Sequence, residues 1–144
     1  MEASTPRRVL VVAHRTAATP RLIRAVQDRA ARGPCAFTLL VPKLADTAPE
    51  GEAERVLALA LPLLEEAAGG RVEGIAGPAD ALRAVQRAHR EHAFDEAIIS
   101  TLPEALSHWL KRDLPSRVEK LGLPVTVVKA QASAVPLFAE MGRA

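Results

Sequence analysis

Five short aliphatic runs, separated by segments whose apolar residues recur every three to four positions, restrict this 144-residue chain to few architectures. The runs are Val9–Ala13 (VLVVA), Ala36–Val41 (AFTLLV), Arg71–Ala76 (RVEGIA), Ala97–Ser100 (AIIS) and Pro124–Val128 (PVTVV). Continuous rather than alternating hydrophobicity marks strands covered on both faces, as in parallel sheets. Arg71–Ala76 is the least apolar run and reads as an edge strand. Strand–helix alternation of this kind predicts a five-stranded parallel doubly wound α/β sheet with helices on both faces. Aromatic residues make up only 3% of the chain, so the core must be aliphatic.

The connecting segments carry helix punctuation. Thr19-Pro20 supplies an N-cap and a proline for the first helical position, with Leu22, Ile23, Val26 and Ala30 as the buried stripe. Gly33-Pro34 ends that helix. From Glu52 to Ala68 the helical stripe reads Val56, Leu59, Ala60, Leu63 and Ala67, with Pro62 expected to kink or split the helix. Gly69-Gly70 closes it. A third helix is expected over about Ala79–His92. The most informative stretch is Phe94–Val128. There Thr101-Leu102-Pro103-Glu104 fits a capping box, Leu106, Trp109 and Leu110 share a face, and Asp113 with Pro115 offers a second helix start before Gly122. The expected organisation is a loose tail over 1–7, a domain over 8–130 and a C-terminal tail over 131–144. That tail carries Val135, Leu137, Phe138 and Met141, and is either a free end or a cover for apolar surface.

Several function classes are disfavoured. A net charge of +2 is too small for an electrostatic nucleic-acid surface. No run approaches the roughly 18 apolar residues of a membrane span, and the first residues lack the apolar stretch of a secretion signal. The single cysteine, Cys35, permits no internal disulfide and fits a reducing cytoplasm. It sits beside a strand start, where packing is expected rather than reactivity. His89 and His92 have no evident third metal ligand, and as cations near a helix C-terminus they are favourable anyway. Glu65-Glu66 reads as a solvated helix face.

In open α/β sheets ligands sit at the carboxyl ends of the strands. The expected crevice lining is therefore His14, Arg15 and Thr16 after the first strand, Val41 after the second, and Ser100 and Thr101 after the fourth. Ser107, His108, Arg112 and Asp113 come from the following helical segment. The hydroxyls of Ser100 and Thr101 at a helix start, with Arg112, make a candidate anion site. The competing reading is that Thr101 only caps its helix and Arg112 is solvated or pairs with Asp113. His14 and His108 suit acid–base work only if they meet, and no hydroxyl lies in a recognisable nucleophile setting.

Laid out in order, Arg8 to Val128 resembles the universal stress protein family. The resemblance is carried by Val9–Thr16, by Gly77–Leu82, and by Leu106–Leu110 with Arg117-Val118 and Leu123–Val128. It implies strand order 3-2-1-4-5 and a cytoplasmic homodimer joined through Val125, Thr126, Val127 and Val128, which would satisfy an otherwise bare apolar edge. It also implies an adenine-nucleotide loop of the form Gly-x2-Gly-x9-Gly-Ser/Thr after the fourth strand. Here that stretch reads Ser100-x2-Pro103-x8-Arg112-Asp113, one residue shorter and without its three glycines. Pro103 has no donor N–H, Asp113 would repel a phosphate, and His14 stands where the family has an acid. The expectation is a non-enzymatic stress-response or regulatory domain with no catalytic residue, metal or resident cofactor, and without ATP bound in the family's manner. The alternative is a sensor that binds a nucleotide or small anion between strands one and four.

Overall fold

A computed structural model describes residues 5–103 and 107–130. The elements run β1 (Arg7–Val12), α1 (Pro20–Ala31), β2 (Cys35–Pro42), α2 (Glu52–Ala68), β3 (Val72–Gly77), α3 (Ala81–His92), β4 (Glu96–Thr101), α4 (His108–Lys111), α5 (Leu114–Glu119) and β5 (Val125–Lys129). The strands form one parallel sheet in the order β3-β2-β1-β4-β5, as expected. Glu104, Leu106 and the segment 131–144 lie outside the described residues.

Strand alternation divides the core into two layers. Val9 and Val11 of β1 pack with Phe37, Leu39, Leu22, Val26, Leu57 and Leu64 beneath α1 and α2. Leu10 and Val12 point the other way, among Leu40, Ile99, Val85, Val118 and Leu123 beneath α3 and α5. The aliphatic side chains of β1 are fully buried, which is why the sequence needed no polar alternation there.

Three local expectations change. First, α2 buries Ala53, Leu57, Ala60, Leu64 and Ala67, while Leu59 is 75% and Leu63 41% exposed. Ala60 and Ala67 of the expected stripe are buried and Val56 packs against the same core, but contact with β2 and β3 buries Leu57 and Leu64 in place of Leu59 and Leu63. Pro62 does not split the helix. Second, Glu65 is not merely solvated: its carboxylate accepts the backbone N–H of Val72 at 3.2 Å and anchors the start of β3.

Third, no helix starts at Thr101. Its carbonyl accepts from Ala130 N–H at 2.8 Å and it pairs with Lys129, so β4 continues through it. Ser107 caps α4 instead, its Oγ accepting from Leu110 N–H at 3.1 Å. The second helix start expected at Asp113 and Pro115 holds, and the last helical segment is two short helices. A helix running through Pro115 would lose an N–H and drive the ring into the preceding turn. Asp113 takes the N-cap position of α5 in a left-handed conformation (φ 57°), without a side-chain cap bond.

Candidate functional site

The carboxyl ends of β1 and β4 open into a cavity of about 680 Å³. β1 stops because the chain turns at His14–Thr19, held by Ala17 N–H to His14 C=O and Thr19 N–H to Thr16 C=O. That turn delivers His14, Arg15 and Thr16 to the cavity. β4 ends in Ser100 and Thr101, and the segment with α4 adds Ser107, His108, Trp109 and Arg112. Eight of the ten residues expected at the crevice are therefore neighbours around one space.

Two are not. Val41 is wholly buried inside β2, which runs on through Pro42, so the β2 side of the cavity comes from Leu44, Ala45 and Asp46. Asp113 is exposed and does not line the cavity, because the left-handed turn carries it past. Two other contributors were missed. Ala79–Leu82 enter from the β3–α3 connection, and Arg117 enters from α5. Asp80 carried a legible signal, since it is the N-cap of α3 and its carboxylate accepts Arg83 N–H at 3.1 Å. Arg117 carried none, because the turn at Asp113 decides where α5 points.

The floor is polar and enclosed. His14, Thr16, Ser100, Thr101 and Ser107 are all buried. The Thr16 and Ser100 hydroxyls bond each other at 2.6 Å. His14 Nε2 lies 3.2 Å from Glu52 Oε1 at the start of α2. A carboxylate only accepts, so Nε2 carries the proton and Nδ1 is left as the acceptor of a neutral ring. Burial lowers the His14 pKa, against the charge and hydrogen bond of Glu52, which raise it. Two buried atoms have no hydrogen-bond partner among the described residues: His14 Nδ1 and Thr101 Oγ1. The rim is charged: Arg15, Arg112 and Arg117, and with them Asp46 and Asp80, line it and are exposed. Arg112 makes no ion pair with Asp113.

Other candidate chemistry resolves into structure. His89 Nδ1 accepts Phe94 N–H at 3.0 Å, closing the end of α3. Burial raises the Cys35 pKa, so its thiol stays protonated near neutrality. Trp109 both packs against the α3/α5 layer and lines the cavity. No metal-ligand cluster occurs among the described residues, and none of their helices is long and apolar enough to cross a membrane.

A crystal structure of a universal stress protein in complex with cAMP superposes with a TM-score of 0.63 at 18% identity, covering 89% of this chain and 100% of that one. The fold is that of the universal stress proteins. The universal stress protein from Archaeoglobus fulgidus in complex with dAMP matches at TM-score 0.58 and 15% identity, over 87% of this chain and 98% of that chain. A universal stress protein family member from Arabidopsis thaliana with AMP bound matches at 0.59 and 12%, over 90% and 95%. No family model matches the sequence, and no curated protein matches it. The universal stress fold is thus shared at identities where loop chemistry is free to differ.

Proposed function

We propose that this chain is a non-enzymatic regulatory domain of the stress-response type, acting in the cytoplasm through residues 8–130. Its crevice takes a ligand smaller than ATP, a nucleoside monophosphate or another small anion. The observation that carries this reading is the cavity over β1 and β4, whose rim holds three guanidinium groups against two carboxylates. Its size lies within the roughly 300–1,000 Å³ of small-molecule sites. Three structures of the same fold hold cAMP, dAMP and AMP.

A triphosphate is disfavoured by the segment after β4. Arg112 puts a long side chain where bare glycine backbone would be needed, whereas Pro103 does not line the cavity. Asp113 does not line the cavity either. Catalysis is disfavoured because no floor hydroxyl bonds a base: Thr16 and Ser100 bond each other, Ser107 caps α4, and His14 is paired with Glu52 through Nε2.

Thermal-shift and calorimetric titration with ATP, ADP, AMP and inorganic phosphate test the reading. A ligand selective for the native state, at a hundredfold excess over its Kd, adds about 2.7 kcal/mol of stability. AMP is expected to raise the Tm more than ATP does, and Arg112→Ala to weaken AMP by about tenfold. ATP binding as tightly as AMP, or turning over, would overturn it.

The reading includes a homodimer through β5. What supports it is an edge strand whose Thr126 and Val127 are exposed, Val127 at 37%. Sedimentation should give a dimer that Val127→Lys converts to monomer. A wild-type protein that sediments as a monomer rules out this assembly.

A further inference from the structure

We propose that the outer face of α2 docks a second copy of this chain, helix against antiparallel helix about a two-fold axis, with Arg55 of each copy meeting Glu66 of the other. The inference rests neither on the crevice nor on the β5 edge. α2 lies over β2 and β3, on the far side of the sheet from β5, so the two contacts do not compete for surface. Four large aliphatic side chains are exposed among the described residues. Leu44 lines the cavity and Val127 lies on the β5 edge. The other two, Leu59 and Leu63, sit one turn apart on α2, with Ala58 and Pro62 exposed beside them. A helix buried only along its inner stripe carries polar residues on its outer face. Here the middle of that face is apolar, and a contiguous patch of this kind marks a contact.

The charges at its two ends say what covers it. Arg55 precedes the patch and Glu66 follows it, both exposed. Neither enters an ion pair among the described residues, and the Arg55 guanidinium reaches only the Glu50 carbonyl, at 3.5 Å. Arg55, Leu59, Pro62 and Glu66 follow one another at intervals of four, three and four, the spacing of a coiled-coil seam. Turning a second α2 antiparallel about the point midway between Ala60 and Leu61 maps that seam onto itself. Leu59 then falls opposite Pro62 of the other copy, Ala58 opposite Leu63, and Arg55 opposite Glu66, so each end of the contact gains an ion pair. A parallel pairing would set Arg55 against Arg55 and Glu66 against Glu66. The chain's own segment 131–144 is a poorer match. Its Glu140 and Arg143 stand three positions apart, about 10 Å even when extended, against about 16 Å along the helix from Arg55 to Glu66. One pair of helices is a small contact, of the weak class below about 1,200 Å². It should therefore form only at protein concentrations well above those that assemble the β5 edge.

Sedimentation from low-micromolar to millimolar protein tests this, in a Val127→Lys background so that the β5 edge takes no part. That chain should be monomeric at low micromolar concentration and dimeric toward millimolar. Adding Leu59→Lys should keep it monomeric throughout, with the Tm of the monomer unchanged, because Leu59 is 75% exposed. Adding Arg55→Glu instead should raise the dimer Kd about tenfold, since two exposed ion pairs become like-charged. Adding Glu66→Arg to Arg55→Glu should bring the Kd back to within about threefold of the background. An acid near the start of a helix and a base near its end suit the helix dipole, so neither reversal weakens the fold of α2 itself. A Val127→Lys chain that stays monomeric to millimolar concentration overturns the proposal. So does a dimer indifferent to Leu59→Lys, or an Arg55→Glu loss that Glu66→Arg does not restore. A monomer whose Tm falls in Leu59→Lys would mean that segment 131–144 already covers the patch, which overturns it as well.

Discussion

The two ends of the sheet solve the same problem in opposite ways. At the amino end, Glu96 of β4 receives Arg29 through Nη2 at 2.9 Å and Nε at 3.1 Å, and Arg7 through Nε at 3.3 Å. Beside it Asp95 accepts Arg8 N–H at 2.8 Å, and the Arg8 guanidinium stacks over Phe94 at 5.6 Å. The fold satisfies that end with its own side chains. At the carboxyl end, His14 Nδ1 and Thr101 Oγ1 stay unpaired though buried, under a rim of arginines. Buried polar atoms without partners weaken a fold unless something else fills them. The comparison teaches where the fold invests stability and where it leaves buried polar atoms of the described residues without partners.

The sharpest way to break the contrast is Glu96→Ala. It strands Arg29, whose side chain is only 13% exposed, without its carboxylate. Removing one partner of such a pair should lower unfolding stability by about 3 kcal/mol, read from urea midpoints, with AMP affinity unchanged. A loss below about 1 kcal/mol would show that the amino end contributes little to stability.

Asp113→Gly is the milder converse near the carboxyl end. A left-handed φ of 57° suits glycine better than an L-residue. Stability should rise by about 0.5 kcal/mol, again without effect on ligand affinity, since Asp113 does not line the cavity. A marked change in affinity would return Asp113 to the site.

The pH profile separates the ends by window. Burial holds the folded His14 pKa below its ordinary 6.5, so the unfolded chain takes up the proton first. The stability linked to His14 is fully present above pH 6.5 and is lost as pH falls through the lower folded value. Glu96 has its carboxyl pKa lowered from 4.5, chiefly by the hydrogen bond from Arg29, so its contribution is present above 4.5 and fades only in more acid solution. Tm measured against pH should fall in two stages. His14→Gln should flatten the stage nearer neutrality and Glu96→Gln the acid stage. A single acid transition untouched by His14→Gln would remove His14 from the account.

Much of this arrangement was written in local pattern. Continuous aliphatic runs located β1, β2, β4 and β5, the weaker Arg71–Ala76 run located β3, and Thr19-Pro20 marked the start of α1. The bounds of α2 follow from Glu52 and the glycines after Ala68, with Gly69 left-handed at the C-cap. The crevice residues carried by strand ends were equally legible, because a parallel sheet always delivers those ends to one edge. His14, Thr16, Ser100 and Thr101 follow from strand position alone.

What the amino-acid order determined by itself was therefore the inventory: which segments extend, which coil, and which side chains arrive at the carboxyl edge. The tertiary structure alone decided how they meet. Packing buried Leu57 and Leu64 of α2 and turned Leu59 and Leu63 outward, because only contact with β2 and β3 distinguishes them. Sheet pairing kept Thr101 in β4, and the left-handed turn at Asp113 brought Arg117 to the cavity while carrying Asp113 past it. Periodicity is a property of neighbours along the chain, whereas an unpaired atom is a property of neighbours in space. That is why no pattern in the sequence could show His14 held by Glu52 with its other nitrogen left open.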